Sequence, residues 1–65
     1  MTIYTNANCP LCNVLKLKLK SKDIEYTEVT DVEVAISKGI QRTPVLEVDD
    51  QLLDFSSAIK YINTL

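Results

Sequence analysis

The alternation of short strand-like and helix-like segments constrains the fold of this chain more than any other feature of its sequence. Four short segments have the pattern of strands, namely Thr2–Thr5, Ile24–Val29, Val45–Val48 and Gln51–Leu53, and the first of them consists of β-branched and aromatic residues. Three segments with helical apolar spacing or capping residues predict helices, namely about Pro10–Lys20, about Asp31–Lys38 and from Phe55 onward. The order β-α-β-α-β-β-α predicts an α/β fold, because a β-α-β crossover joins parallel strands and a β-β step closes a hairpin. Its expected form is a four-stranded mixed sheet with helices on both faces.

The first and last predicted helices each have apolar residues at helical spacing, which predicts one buried face on each. On the first helix this face consists of Leu11, Val14, Leu15 and Leu19, widened by Leu17 and interrupted by Lys18. On the last helix it consists of Phe55, Ala58, Ile59, Ile62 and Leu65.

Capping and turn residues indicate where the later elements begin and end. The segment Thr30–Glu33 has the pattern of a capping box at the start of the second helix. Gly39, the only glycine, lies where a helix end favours a left-handed residue. Asp49–Asp50 predicts a tight turn between the last two strands. Asp54 or Ser56 is expected to cap the last helix.

Size and composition predict one small domain with a packed core. The 65 residues are 46% hydrophobic, which argues against a disordered chain. The formal net charge of −2 gives no electrostatic case for binding nucleic acid or a membrane surface. The first residues lack the pattern of a signal peptide, and no segment approaches the roughly 20 apolar residues of a membrane span. We therefore expect a single cytoplasmic domain over residues 1–65.

Both cysteines, Cys9 and Cys12, lie where the first predicted strand ends and the first predicted helix begins. Chemistry in open α/β sheets usually takes place at this end of the strands. The free N–H groups and partial positive charge of a helix start favour a thiolate, and thiols so placed have pKa values of roughly 3.5–7.5 against about 8.5 when free. Pro10 suits the first helical position. The spacing therefore predicts a redox pair in which Cys9 attacks a disulfide and the less accessible Cys12 resolves the intermediate.

Two other interpretations of the cysteines remain open at this point. Both could be small buried hydrophobes, although the polar loop Asn6–Asn8 and the position at a helix start argue against this. They could also form half of a zinc site. The chain has no histidine and no third cysteine, so four ligands would need a dimer or carboxylates. A C-x-x-C motif beside a β-α-β pattern in a cytosolic chain favours the redox interpretation.

Three motifs together carry a resemblance that covers nearly the whole chain. They are Tyr4-Thr5, then Cys9-Pro10-Leu11-Cys12 after a short loop, then Thr43-Pro44-Val45 before a hairpin and a last helix. In this order they resemble the glutaredoxins, and also the small NrdH-type redoxins that donate electrons to ribonucleotide reductase. The resemblance implies a minimal thioredoxin (glutaredoxin-like) fold and a dithiol thiol–disulfide oxidoreductase with Cys9 and Cys12 as catalytic residues.

The same resemblance gives Thr43 and Pro44 a role. It implies that the peptide bond between them is cis and faces the cysteines, and that the backbone of Thr43 pairs with the extended backbone of a bound thiol substrate. The residues alone would favour a trans proline that begins a strand. With the resemblance, we expect the cis form.

Several positions differ from the family's glutathione pocket. The lysine that usually precedes the first cysteine by three residues falls on Asn6, and the aromatic residue inside the motif falls on Leu11. The Gly-Gly pair that opens the last helix falls in Asp54–Ser57, so the close backbone approach that glycine permits is lost. Serines at a helix start can still donate to a carboxylate, and an arginine can pair with one. The predicted substrate-binding residues are Pro10, Leu11, Arg42, Thr43, Pro44, Ser56 and Ser57.

These observations predict a redoxin that reduces protein or glutathione mixed disulfides or donates electrons to ribonucleotide reductase. The external reductant is either glutathione or a flavin-dependent thioredoxin reductase, although the Trp-Ser-Gly-Phe run of NrdH-type redoxins is missing. We expect a monomer whose partners are that reductant and a disulfide-containing protein, with no bound cofactor, metal, nucleic acid or membrane. The alternatives are a metal- or iron–sulfur-binding module of the same fold without redox turnover, and a non-catalytic interaction domain with unreactive thiols.

Overall fold

The strands and helices follow one another in the predicted order. A computed structural model describes all 65 residues, from Met1 to Leu65. Its elements are β1 (Thr2–Tyr4), α1 (Pro10–Ser21), β2 (Thr27–Val29), α2 (Val32–Ser37), β3 (Val45–Val48), β4 (Gln51–Leu53) and α3 (Phe55–Asn63). The predicted bounds of β3 and β4 are confirmed. The longest helix has 12 residues, and none is long and apolar enough to cross a membrane.

The second strand is shorter than the sequence predicts. It begins at Thr27, although the strand pattern starts at Ile24. The N–H of Ile24 donates to the carbonyl of Leu19 at 3.0 Å, so this residue still belongs to the turn that ends α1. Thr27 pairs with Thr2 at the start of the three-residue β1, and only Met1, whose carbonyl accepts the N–H of Thr27 at 3.0 Å, precedes Thr2, so the ladder cannot extend back to Ile24. The strand prediction for residues 24–26 is therefore wrong.

The four strands form one mixed sheet in the order β2-β1-β3-β4. β1 is parallel to β2, as expected for strands joined by a crossover helix, and antiparallel to β3. β3 and β4 form the predicted hairpin, whose turn residues Asp49 and Asp50 have φ values of 50° and 65°. Two positive φ values are typical of a type I′ turn, which aspartate tolerates. Tyr4 lies opposite Val29 on one side and Val45 on the other.

Helices cover both faces of the sheet, as predicted. The main core lies on the face of α1 and α3 and consists of Ile3, Leu15, Leu19, Leu46, Ala58 and Ile62. The smaller core on the opposite face consists of Tyr4, Ile40 and Val45, with Val29 and Ala35 packed against them. Ile3 and Tyr4 point to opposite faces because side chains alternate along a strand. The short α2 has no fully buried residue, so it covers its face less completely.

The buried face of α1 is narrower than the sequence predicts. Only Cys12, Leu15 and Leu19 are buried on this helix. Leu11, Val14 and Leu17, which the apolar spacing assigned to the core, are 48%, 47% and 66% exposed. Successive residues are about 100° apart around a helix, so Val14 and Leu17 point away from the side that packs on the sheet. Leu65 is likewise exposed, because α3 ends at Asn63.

The helix ends follow capping chemistry, with one correction. Asp31, and not Thr30, caps α2, since its side chain accepts the N–H of Glu33 at 2.9 Å. Gly39 has the predicted left-handed conformation, with a φ of 77°. The N–H of Gly39 bonds to the carbonyl of Ile36, and the N–H of the next residue bonds to the carbonyl of Ala35, both at 2.9 Å. This double hydrogen bond is the Schellman motif that favours glycine after a helix.

Candidate functional site

The loop between β1 and α1 places Cys9 at the start of the helix. The Oδ1 atom of Asn6 accepts the N–H of Asn8 at 2.9 Å, which is the local turn that asparagine favours. Cys9 then has extended backbone, with φ −123° and ψ 97°, and is the N-cap of α1. Pro10 follows at the first helical positions, where its missing N–H has no helical partner to lose. The predicted position of the motif is therefore confirmed.

Cys9 and Cys12 have different environments. Cys9 is partly exposed, whereas Cys12 is only 1% exposed. Their sulfurs form a disulfide, with Cα atoms 5.2 Å apart, inside the usual range for such bonds. The Sγ atom of Cys9 also accepts the N–H of Cys12 at 3.1 Å. Cys9 is therefore the more accessible residue of the pair, and Cys12 lies in the interior.

The segment before β3 lies at the same edge of the sheet as Cys9. Val45 pairs with Tyr4 in antiparallel register, so the start of β3 is next to the end of β1. The Thr43–Pro44 peptide bond is cis, which confirms the expectation from the resemblance. Pro44 is buried and Thr43 is partly exposed.

A groove of about 530 Å³ connects three chain segments at this edge, and we call it the proline groove. It brings together five predicted substrate-binding residues, namely Leu11, Arg42, Thr43, Pro44 and Ser56. The wall at the junction of β4 and α3 includes Leu52, Asp54 and Phe55. Pro10 and Ser57, the other two predicted contacts, do not line it. The proline groove therefore connects the start of α1, the cis peptide bond and the start of α3.

The start of α3 is capped by its own chain. Asp54 is the N-cap, and its Oδ1 atom accepts the N–H of Ser57 at 2.8 Å. This backbone hydrogen bond, helped by the side chain of Ser57, holds the pKa of Asp54 below its usual value, so the carboxyl is ionised at neutral pH. Of the two capping residues that the sequence allowed, the structure thus selects Asp54 over Ser56. The N–H of Ser57 is already bound and is not free for a ligand.

A second groove, of about 510 Å³, lies between α2 and the segment that precedes the cis bond. Its lining includes Thr5, Asn6, Val32, Ile36, Arg42 and Thr43, of which the last two also line the proline groove. This groove was not predicted from the sequence. The pattern that could have revealed it is the pair Val32 and Ile36, which lie four residues apart and therefore share one face of α2. Both line the groove and are exposed.

A polar network that the sequence analysis missed lies on the α2 face of the sheet. The hydroxyl of buried Tyr4 donates to Oε1 of Glu47 at 2.6 Å, and Nζ of Lys38 lies 3.2 Å from both Glu47 oxygens. The hydrogen bond to Glu47 and burial raise the pKa of Tyr4. Tyr4 and then Lys38 lower the pKa of Glu47, and Glu47 in turn raises the pKa of Lys38. The network ties the end of α2 to β1 and β3.

A second network supports the loop that leads to Cys9. Thr5 is buried just after β1, and its Oγ1 donates to Oε2 of Glu28 at 2.8 Å. Nζ of Lys16 on α1 reaches the same oxygen at 3.0 Å. Lys16 and then Thr5 lower the pKa of Glu28. The network therefore joins α1, β1 and β2 near the candidate site.

The chain places no group of three or more histidine, cysteine, aspartate or glutamate side chains where they could hold a metal ion together. Structural zinc sites use four protein ligands. A metal bound by Cys9 and Cys12 would therefore need ligands from outside this chain.

Comparisons with known proteins give no match. No protein-family model matches the sequence, no curated protein matches it, and no solved structure matches the fold. The interpretation of the site therefore depends on its own geometry and chemistry.

Proposed function

We propose that this chain is a dithiol thiol–disulfide oxidoreductase with a glutaredoxin-like form of the thioredoxin fold. The observation that carries the proposal is the asymmetric cysteine pair at a helix start. Cys9 is partly exposed and caps α1, Cys12 is buried one turn later, and the two are close enough to form a disulfide. The cis Thr43–Pro44 bond at the same sheet edge and the sheet order β2-β1-β3-β4 support the same assignment.

In the proposed reaction, the thiolate of Cys9 attacks one sulfur of a target disulfide. A mixed disulfide forms, and the other target sulfur leaves as a thiolate and takes a proton from water. The thiol of Cys12 then loses its proton and attacks Sγ of Cys9. This second exchange releases the remaining target thiol and leaves the Cys9–Cys12 disulfide, so the target gains the two electrons that the protein loses.

The surroundings of Cys9 support the role of attacking thiolate. The N–H of Cys12 points at its sulfur, and the helix start adds a partial positive charge, both of which favour negative charge on sulfur. Cys12 becomes reactive only after a target has bonded to Cys9, when the mixed disulfide lies beside it. Pro10 supports the turn between the two cysteines.

The proline groove is the proposed binding site for the target. The backbone of Thr43, beside Pro44, is available to pair with an extended target segment. Leu11, Arg42 and Ser56 line the same groove and are proposed contacts. Ser57 does not line the groove and its N–H is held by Asp54, so it is not among the proposed contacts.

The proposal includes an external reductant, since the Cys9–Cys12 disulfide must be reduced after each cycle. Glutathione and a flavin-dependent thioredoxin reductase are the two candidates. The targets are protein or glutathione mixed disulfides, and ribonucleotide reductase is a candidate acceptor. We also propose a cytoplasmic location, where reducing thiol pools return C-x-x-C pairs to the dithiol form, and a monomeric state.

The proposal is tested by reduction of a protein disulfide, measured as NADPH consumption with either glutathione and its reductase or a thioredoxin reductase. Turnover is expected with one of the two systems and falls to background in Cys9→Ser. Cys12→Ser is the matched variant and should accumulate a mixed disulfide through Cys9, visible as a mass increase that a thiol removes. Undiminished turnover in Cys9→Ser would exclude the proposed mechanism. Stoichiometric metal in the purified protein, lost in Cys9→Ser, would favour the metal-binding alternative.

A further inference from the structure

The proline groove contains one fixed negative charge, on the carboxylate of Asp54. Oδ1 of Asp54 accepts the N–H of Ser57 at 2.8 Å, and the backbone carbonyl of Asp54 accepts the N–H of Ala58 at 2.8 Å. These two bonds fix the residue at the start of α3. Its side chain is exposed and lines the groove, so an incoming ligand meets this charge directly.

No cation of the chain forms a salt bridge with Asp54. The two salt bridges in the structure are Lys16–Glu28 and Lys38–Glu47. The other charged residue of the groove wall is Arg42, which also makes no salt bridge and precedes the cis bond. The groove therefore has a negative wall at α3 and a positive wall at the segment before Pro44.

Exposed apolar side chains also line the groove. Leu11 is 48% exposed and Leu52 is 44% exposed, and Phe55 at the start of α3 is partly exposed. Covering such surface with another apolar side chain is favourable, because both surfaces are then removed from water. The groove therefore offers an apolar contact beside the carboxylate of Asp54.

We propose that Asp54 makes this groove selective for an extended protein segment that carries a basic residue and an apolar residue beside its reactive cysteine. The inference rests on the proposed function, since it concerns which disulfides reach Cys9. The basic side chain pairs with Asp54, and the apolar side chain lies against Leu11 and Phe55. A thiol that brings a carboxylate to this wall, such as glutathione, is disfavoured because Asp54 already occupies the helix start that would attract an anion.

The expected size of the effect follows from the exposure of the groove. Pairs of exposed charges change an equilibrium by about threefold to fivefold at most. Attraction of a lysine and repulsion of a glutamate act in opposite directions, so the ratio of the two rates should be about tenfold. Salt screens such charges over about 10 Å at 0.1 M ionic strength and about 3 Å at 1 M, so the ratio should fall towards one as salt is added.

The test uses two synthetic peptide disulfides that differ only in a lysine or a glutamate next to a leucine-cysteine pair, with oxidised glutathione as a third substrate. Initial rates of disulfide reduction by the reduced full chain are measured at low and high salt. Asp54→Asn removes the charge and keeps a good N-cap, so α3 keeps its start. Asp50→Asn is the matched control, because Asp50 is exposed, lies outside the groove and has a positive φ that asparagine tolerates.

We expect the wild type and Asp50→Asn to favour the lysine peptide about tenfold. Asp54→Asn should lose that preference and reduce oxidised glutathione faster. Equal rates for the two peptides in the wild type, or an unchanged preference in Asp54→Asn, would overturn the inference alone. If the reduced chain reduces none of the three substrates, the proposed function fails and the inference fails with it.

Discussion

The difference in accessibility between Cys9 and Cys12 leads to a prediction that concerns geometry alone. Each cysteine is replaced in turn, so that the other is the only thiol of the chain, and each replacement is chosen to disturb the structure around the remaining cysteine as little as it can. Cys9→Ser leaves Cys12 as the only thiol and keeps an oxygen at the N-cap, where serine is among the preferred residues. Cys12→Ala leaves Cys9 as the only thiol and keeps an apolar side chain at the buried position.

The size of the difference in alkylation rate follows from the part of the structure that must open before Cys12 can react. This side chain is 1% exposed, so the first turn of α1 has to detach. Detachment breaks the capping hydrogen bond, which is worth about 1 kcal/mol. Transfer of the buried Cβ and sulfur to water costs about 1–1.5 kcal/mol. The sum of about 2–2.5 kcal/mol corresponds to about 30- to 70-fold slower alkylation of Cys12 than of Cys9, at about 1.4 kcal/mol per factor of ten.

The assay is the rate of iodoacetamide alkylation, followed by mass spectrometry at an alkaline pH at which free thiols are ionised. Each rate is divided by that of a short cysteine peptide, which removes the intrinsic reactivity. In concentrated urea the two variants should react at the same rate, since unfolding removes the protection. Alkylation of Cys12 in the folded chain as fast as that of Cys9 would refute the burial argument and remove the basis for separate attacking and resolving roles.

Three further predictions concern stability and are measured by urea unfolding. Leu15→Ala removes a fully buried side chain of the main core and should cost about 2–5 kcal/mol, whereas Leu17→Ala on the exposed side of α1 should change stability by less than about 0.5 kcal/mol; equal losses would contradict the orientation of α1. Gly39→Ala should cost about 1–2 kcal/mol, because φ is 77° while no atom lies within 4 Å of the added Cβ, so an unchanged midpoint would argue against the left-handed helix end. Thr5→Val should cost about 0.5–1 kcal/mol at neutral pH, because the hydroxyl donates to Glu28. The folded-state pKa of Glu28 is lowered, so this stabilisation is present above the unfolded pKa of about 4.3 and is lost as the pH falls through the folded value; a loss that stays constant into acid would contradict the contact.

The parts of the fold that the sequence predicts well depend on neighbouring residues. Gly39 has the left-handed conformation because the helix end, the glycine and the next residue lie together in sequence. The hairpin of β3 and β4 follows from two short strand patterns around Asp49 and Asp50. The capping of α3 by Asp54 is a contact over three residues. Such local chemistry does not depend on how distant segments pack.

The wrong predictions concern features that are decided by the packing of segments far apart in the sequence. The apolar positions of α1 extend around most of the helix, so their spacing cannot show which side faces the sheet. Only the contacts with Ile3, Leu46 and α3 fix that side, and they leave Val14 and Leu17 exposed. The start of β2 was predicted wrongly for the same reason. It is set by the point at which β1 begins, and the residues of β2 do not show where that point lies.

The two polar networks could not be predicted for a related reason. Tyr4 and Glu47 are 43 positions apart, and their side chains meet only because β1 and β3 are neighbours with a defined register. Nothing in the residues around either one indicates the partner. Lys38 joins them because the Schellman turn places the end of α2 over the same face of the sheet.

The candidate site depends on both kinds of contact. Each of its parts is formed by residues that are close in the sequence, whereas the parts meet only through contacts between distant segments. The sequence predicts that Cys9 and Cys12 lie at the start of a helix, and it predicts the capping of α3 from the first residues of that helix. The register that pairs Tyr4 with Val45 brings these parts together, since it places the segment with Pro44 beside the loop that leads to Cys9. A shift of one residue in this register would move the side chains of β3 to the opposite face of the sheet and change which residue lies beside that loop. The pairing of β1 with β3 is therefore the contact on which the proposed chemistry depends most, although neither strand contains a reactive residue.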